Sequence, residues 1–209
     1  MMDPMRTLPR YLVAIGAASL LLTATACANT PAAAPSSSPP SSEPASAAGS
    51  NSDADDTVVT ATFAQDDAAT NYNKTLVPDG AKALVAEYVF DGATTVTLNV
   101  RGLVPNRAYG AHAHALPCGP TGDAAGPHFQ HEPDPVKPSV DPEYANPTNE
   151  IWLDFKTDSQ GNATTASTVP WVFEDKKAGS VVIHADPTQT AAGKAGTAGA
   201  RIGCVSVGF

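Results

Sequence analysis

The sequence predicts an all-β domain: an eight-stranded antiparallel Greek-key barrel or sandwich with long loops. Three observations predict it. Short segments rich in Val, Thr and Ile place apolar residues at every second position. Turn-forming residues separate these segments. No segment shows a sustained 3.6-residue apolar repeat with capping residues, so no helix is expected. Many short strands without helices are the pattern of a sandwich or closed barrel.

Taken in order, strands are expected at 57–64 (TVVTATFA), 82–90 (KALVAEYVF) and 94–100 (TTVTLNV). Asp91-Gly92 between the last two is a strong hairpin signal. Pro105-Asn106 turns the chain into a fourth strand at 109–115. Strands at 150–156 (EIWLDFK) and 162–169 flank the hairpin turn DSQG, and 179–185 (GSVVIHA) and 201–207 (RIGCVSV) complete the set. Two irregular segments interrupt them. The proline-rich 116–149 is too long for a simple connection and adjoins most of the histidines, which marks it as functional. The second, 186–200, is rich in Gly, Ala and Thr. No internal repeat is present.

The strands occupy only the C-terminal part of the chain. Residues 1–26 read as an export signal: Arg6 and Arg10 precede an apolar run from Tyr11 to about Leu22, and small residues follow. The run is shorter than the roughly 20 residues a membrane-spanning helix requires. Ala24-Thr25-Ala26-Cys27 is similar to a bacterial lipobox, with Ala24 where Leu is usual. Cys27 is therefore expected to carry a lipid that anchors the protein to the outer face of a membrane; simple secretion is the alternative. Residues 27–56 are dominated by Ser, Pro and Ala with no large apolar side chain, and read as a disordered linker. Lipidation of Cys27 leaves Cys118 and Cys204 as a pair, in a compartment where disulfides persist.

The remaining 57–209 is long enough for one core. It holds ten Lys/Arg against sixteen Asp/Glu, a net of −6, with no basic run and no basic-aromatic interleaving. Nucleic acid is excluded as an expected partner.

Four of the five histidines lie in one stretch, YGAHAHALPCGPTGDAAGPHFQH, and the fifth is His184 in SVVIHADP. On a strand, His112 and His114 share one face while Ala111, Ala113 and Ala115 share the other. Two imidazoles side by side, with His128 returned by a glycine-containing turn, form a candidate metal site. Imidazoles without thiolates suit copper or zinc, and the CxxC spacing of structural zinc sites is missing. A lone strand histidine is ordinarily a surface or hydrogen-bonded residue; the HxH pair with a third histidine nearby is what shifts the reading to a metal.

Four segments together resemble the copper/zinc superoxide dismutase family. GAHAHALPCG resembles its GxHxH strand and loop cysteine, and GPHFQ its G-x-H-F-N segment. SVVIHA resembles the strand ending in the last copper histidine, and TAGARIGCVSVGF the C-terminal signature. They occur in family order over nearly the whole domain. The resemblance implies an eight-stranded Greek-key barrel and copper held by His112, His114, His128 and His184. It also implies an intrasubunit disulfide between Cys118 and Cys204, with Arg201 beside the copper as the group that attracts and orients superoxide. His131 is left over.

Departures from the family pattern bear on zinc. In the family, the histidine matching His128 bridges copper and zinc, and two further histidines and an aspartate complete the zinc site. Only His131 follows here, three residues on, and NPTNEIWLDF lacks His-x-x-Asp. The loop after His184 is also short of the charged stretch that guides superoxide. These departures argue against zinc and resemble the copper-only branch. The free nitrogen of His128 then needs a carboxylate partner, for which Glu132, Asp134, Asp141 and Glu143 are the candidates. The expected function is an extracytoplasmic superoxide dismutase. The alternative is a copper-binding or copper-buffering envelope lipoprotein with little dismutase activity, which needs neither Arg201 nor an open copper position. Asp123 and Glu174–Lys177 are read as solvated charges, and Trp152 and Trp171 as packing residues.

Overall fold

The structure, a computed structural model, describes residues 56–209. The expected signal segment, Cys27 and nearly all of the linker lie outside the described residues. Nine strands follow in order: β1 (Thr57–Thr62), β2 (Ala69–Asn71), β3 (Lys82–Phe90), β4 (Ala93–Arg101), β5 (Ala108–His114), β6 (Phe155–Lys156), β7 (Ala163–Val169), β8 (Ser180–His184) and β9 (Arg201–Ser206). They form two antiparallel sheets, ordered β1-β3-β4-β7 and β2-β9-β8-β5-β6. Neighbours distant in sequence, such as β4 with β7, give the crossed connections of a Greek key. The only helical element among the described residues is a 3-10 turn at Gly122–Ala125.

The first sheet shows the alternation its sequence dictates. In β4, Thr94, Val96, Leu98 and Val100 point into the core, while the residues between them are half-exposed. Asp91 and Gly92 both take positive φ, as a tight hairpin turn between twisted strands requires. Between the sheets, Phe63, Leu98, Tyr109, Ile151, Leu153 and Ile183 are fully buried. Each such side chain contributes on the order of 2 kcal/mol.

β5 and β8 differ, because they are buried on both faces. Ala111, Ala113, Val181 and Ile183 face the core between the sheets. Ser180, Val182 and His184 alternate with these along β8, and His112 and His114 along β5, facing outward beneath the two long irregular segments. Val182 packs there with Ala125 and Cys204 in a small separate cluster.

Two details depart from the expected eight strands. Ala69–Asn71 is an extra short strand, recruited to the edge of β9 through Ala69↔Val205; three residues are too few to show alternation in the sequence. The expected strand 150–156 forms regular pairing only at Phe155–Lys156. Its alternation is nonetheless kept, since Ile151, Leu153 and Phe155 are all buried.

Candidate metal centre

The outer edge of β5 assembles the site. Two pieces of the long segment lie along it as isolated bridges, His114↔His128 and His112↔Trp152. They are held by backbone bonds from Phe129 N to Ala113 O (2.9 Å) and from Leu153 N to Ala111 O (2.7 Å). His128 is thus set against His114. From the opposite side β8 pairs Gly110 with His184, bringing the fifth histidine of the chain onto the same outward face. One ligand atom from each of His112, His114, His128 and His184 lies within 4.8 Å of all the others, in the only such group among the described residues.

Hydrogen-bond polarity fixes which nitrogen each ring offers. His114 donates from Nδ1 to the Gly126 carbonyl (3.0 Å), leaving Nε2 3.3 Å from His184 Nε2. His184 Nδ1 faces the Gly199 carbonyl at 3.4 Å. His128 donates from Nδ1 to Glu150 Oε2 at 2.7 Å, leaving its Nε2 free. His112 Nδ1 is buried without any partner, an uncommon and costly state for a ring nitrogen. Three Nε2 atoms and one orphaned Nδ1 therefore converge, each on a ring whose other nitrogen is engaged by the protein. That is the arrangement expected of histidines that hold a metal ion.

Burial sets the charge state of the cluster. Desolvation, reinforced by the neighbouring histidines, holds His112 and His114 well below the usual imidazole range, and burial lowers His184 from 6.5 to about 4. The rings are neutral at neutral pH, as metal ligands must be. A stability consequence follows for the metal-free protein. On unfolding, His184 regains its ordinary value near 6.5, so the unfolded chain takes up its proton first as pH falls. Stability is therefore full above about pH 6.5 and is lost between about 6.5 and 4, by roughly 3 kcal/mol from His184 alone. His112 and His114 add to the loss in the same direction. Urea unfolding of the metal-free chain at a series of pH values measures it; a flat profile over that range would contradict the assignment.

Arg201 reaches this face through a backbone irregularity. Cys204 and Arg201 are three residues apart, so regular alternation would send them to opposite faces. The β8–β9 register shifts between Ile183 and His184, and His184 pairs with Arg201. The shift behaves as a β-bulge, re-aiming one side chain. The Arg201 guanidinium then donates from Nη1 to the Gly122 carbonyl (2.8 Å), and partial burial lowers its pKa from the usual arginine value. A cavity of about 720 Å³ opens beside it, walled by His128, His184, Gln130, Lys137, Thr197 and Arg201 among others. His112 and His114 are fully buried.

The disulfide expected between Cys118 and Cys204 is present. The carboxylate expected for His128 is corrected. Glu132, Asp134, Asp141 and Glu143 all serve elsewhere or are exposed: Asp134 binds Val136 N and the Ser139 hydroxyl, and Asp141 accepts from Glu143 N. Glu150 holds His128 instead, and is only 1% exposed. In the sequence Glu150 opens the alternating run 150–156. Its signal was parity: Glu150 alternates with the core-facing Ile151, Leu153 and Phe155, and so shares the opposite face with Trp152, which bridges to His112. Trp152 likewise does more than pack: it donates from Nε1 to Glu150 (2.7 Å) and sets its ring edge-on to His112 at 5.8 Å. His131 stays outside the cluster, stacked on Trp171.

The fold and site define a class: a two-sheet antiparallel Greek-key sandwich with an imidazole-only cluster, able to hold a metal ion, on the outer face of one sheet. The chain belongs to the copper/zinc superoxide dismutase family, whose model matches residues 81–207. Among solved structures it is similar to the Cu/Zn superoxide dismutase from Brucella abortus, at 18% identity and a TM-score of 0.51, over 72% of this chain and 99% of that one. It is also similar to a mutant SOD-like protein from Bacillus subtilis, at 16% identity and a TM-score of 0.48, over 59% and 88% of the two chains. No curated protein matches the chain.

Proposed function

We propose that the protein is an extracytoplasmic superoxide dismutase, converting two superoxide ions and two protons into dioxygen and hydrogen peroxide. The observation that carries the reading is the set of four imidazoles whose free nitrogens converge below a cavity holding Arg201. Copper on His112, His114, His128 and His184 would supply one-electron chemistry, taking an electron from one superoxide and passing it to the next. The donor set suits it, since imidazole nitrogens bind copper well. Glu150 supports a single-metal site, because it occupies the His128 nitrogen through which a second metal would be bridged. Arg201 draws the anion into the cavity and orients it, its guanidinium being fixed by Gly122. Export, and anchoring by a lipid on Cys27, complete the reading; a disulfide in the domain accords with an oxidising compartment.

The test is superoxide turnover by the copper-loaded full chain, with copper and zinc measured on the same sample. Rapid turnover at one copper and no zinc per chain supports the proposal. Full copper loading with negligible turnover would overturn it in favour of copper storage. Arg201→Leu should reduce kcat/KM by about tenfold or more while copper affinity stays within a factor of about two, since the guanidinium acts on the anion and not on the metal. Equal losses of both would remove the role given to Arg201.

A further inference from the structure

The outer face of the first sheet takes no part in the metal site. Of the five large apolar side chains exposed among the described residues, three lie there: Val58 (64%), Tyr88 (50%) and Phe90 (68%). They are neighbours. Tyr88 and Phe90 are successive outward residues of β3, their rings nearly parallel at 9° with centroids 6.3 Å apart. Val58 on β1 pairs with Ala86, the outward residue just before Tyr88. The core does not call for them, since Ala83 and Val85 are the β3 residues that fill it. Among the described residues of β1, β3, β4 and β7 no outward position is acidic, although the domain carries a net −6. The only charges on the face, Lys82 and Arg101, face each other at the end away from Phe90. Asp56 and Asp91 flank the patch at strand ends, so any contact made there rests on apolar burial and not on charge.

The course of the chain indicates what covers this patch. β1 begins at Thr57, immediately before Val58, and residues 28–56 alone separate it from Cys27. A coil of that length spans on the order of 30 Å, about the width of one small domain. Resting on the lipid anchor in the reading given above, we propose that Val58, Tyr88 and Phe90 form a membrane-docking face. They seat in the interfacial layer of the same bilayer that holds the Cys27 lipid. Aromatic side chains favour that layer, and a tether makes even a weak contact intramolecular. The metal cluster lies on the outward face of the other sheet. Docking therefore turns the Arg201 cavity away from the bilayer, towards anions arriving from solution.

The test uses the exported, processed chain in phosphatidylcholine vesicles. Mass spectrometry first reads the lipid on Cys27, and a bare cysteine sinks the anchor reading. A maleimide-linked lipid on Cys27, the other two cysteines being joined to each other, then lets the docking face be judged separately. Phe90→Trp puts a reporter on the patch; Val136→Trp puts one at a comparably exposed apolar position beside the cavity. On vesicles the added emission of Phe90→Trp should shift to the blue. A lipid spin-labelled near its headgroup should quench it about threefold more than that of Val136→Trp. Adding Val58→Ser and Tyr88→Ser should remove about half of that quenching or more. Quenching at Val136→Trp equal to or above that at Phe90→Trp would overturn the proposal, because no face would then be preferred. Unchanged quenching in the serine variant would do the same. So would a blue shift that appears without vesicles as protein concentration rises, which would assign the patch to a second copy of the chain.

Discussion

Replacing Glu150 should cost more at this site than any other single exposed or buried acid. Glu150→Ala removes the acceptor for three donors at once: His128 Nδ1, Trp152 Nε1 and Gln130 Nε2. Each buried donor left unpaired costs about 1–3 kcal/mol. Copper affinity should fall by about tenfold to a hundredfold as the His128 ring loses its orientation. Glu150→Gln sharpens the test. All three neighbours donate, and Gln130 is held in its orientation by Asp134 N bonding its oxygen at 3.0 Å. A glutamine at 150 has one acceptor where two are required, so its amide must face a donor. Its shape is right and its polarity wrong, and it should fail nearly as badly as alanine. Competition titration with copper, paired with thermal unfolding of the metal-free chain, reads both effects. A glutamine variant with wild-type copper affinity would show that the charge on Glu150 and its hydrogen bonds are irrelevant to the metal.

The second large effect is expected from the disulfide. Cys118–Cys204 joins the start of the long segment to β9 and closes a loop of 86 residues. Converting both cysteines to serine should cost about 2–5 kcal/mol. The loss is not confined to stability. Cys118 lies only four residues before Gly122, whose carbonyl seats Arg201, and Tyr72 bonds the Gly119 carbonyl in between at 3.0 Å. Freed from β9, this stretch should let the guanidinium wander, so turnover per bound copper should fall as well as the melting temperature. Thermal unfolding and turnover measured on the same copper-loaded variant separate the two. A variant that melts early but turns over normally would limit the disulfide to stability.

How far the sequence revealed this arrangement differs from part to part. Alternation in β3 and β4 was plain because one face of their sheet is open to water, and the Asp91-Gly92 turn left little freedom in register. β5 and β8 were recognisable through the spacing of His112, His114 and His184, even though both strands are covered on either face. Glu150 was hidden because it belongs to the site by its side chain and to the 150–156 run by its backbone. Position within a run says where a residue sits, not which ring it meets across a loop. Thr188, whose hydroxyl lies 2.7 Å from His112 Nε2 and donates to Asp154, was hidden for a similar reason: it lies in Gly/Ala/Thr-rich sequence, and its partner Asp154 is thirty-four residues earlier. The shifted register that turns Arg201 outward could not be read from alternation, since it breaks alternation.

The centre is drawn from positions 112, 114, 128 and 184, with Arg201 on β9 beside it. A nascent chain emerges in order, N-terminus first. Until β9 has been made, β8 lacks one of its two neighbours, Cys118 has no partner and the cavity lacks its guanidinium. Synthesis and metal capture are therefore separate events in time. Before His184 and β9 emerge, the growing polypeptide offers an ion an incomplete set of imidazoles, and the complete pocket becomes available only once β9 is in place, in whichever compartment the molecule has by then reached.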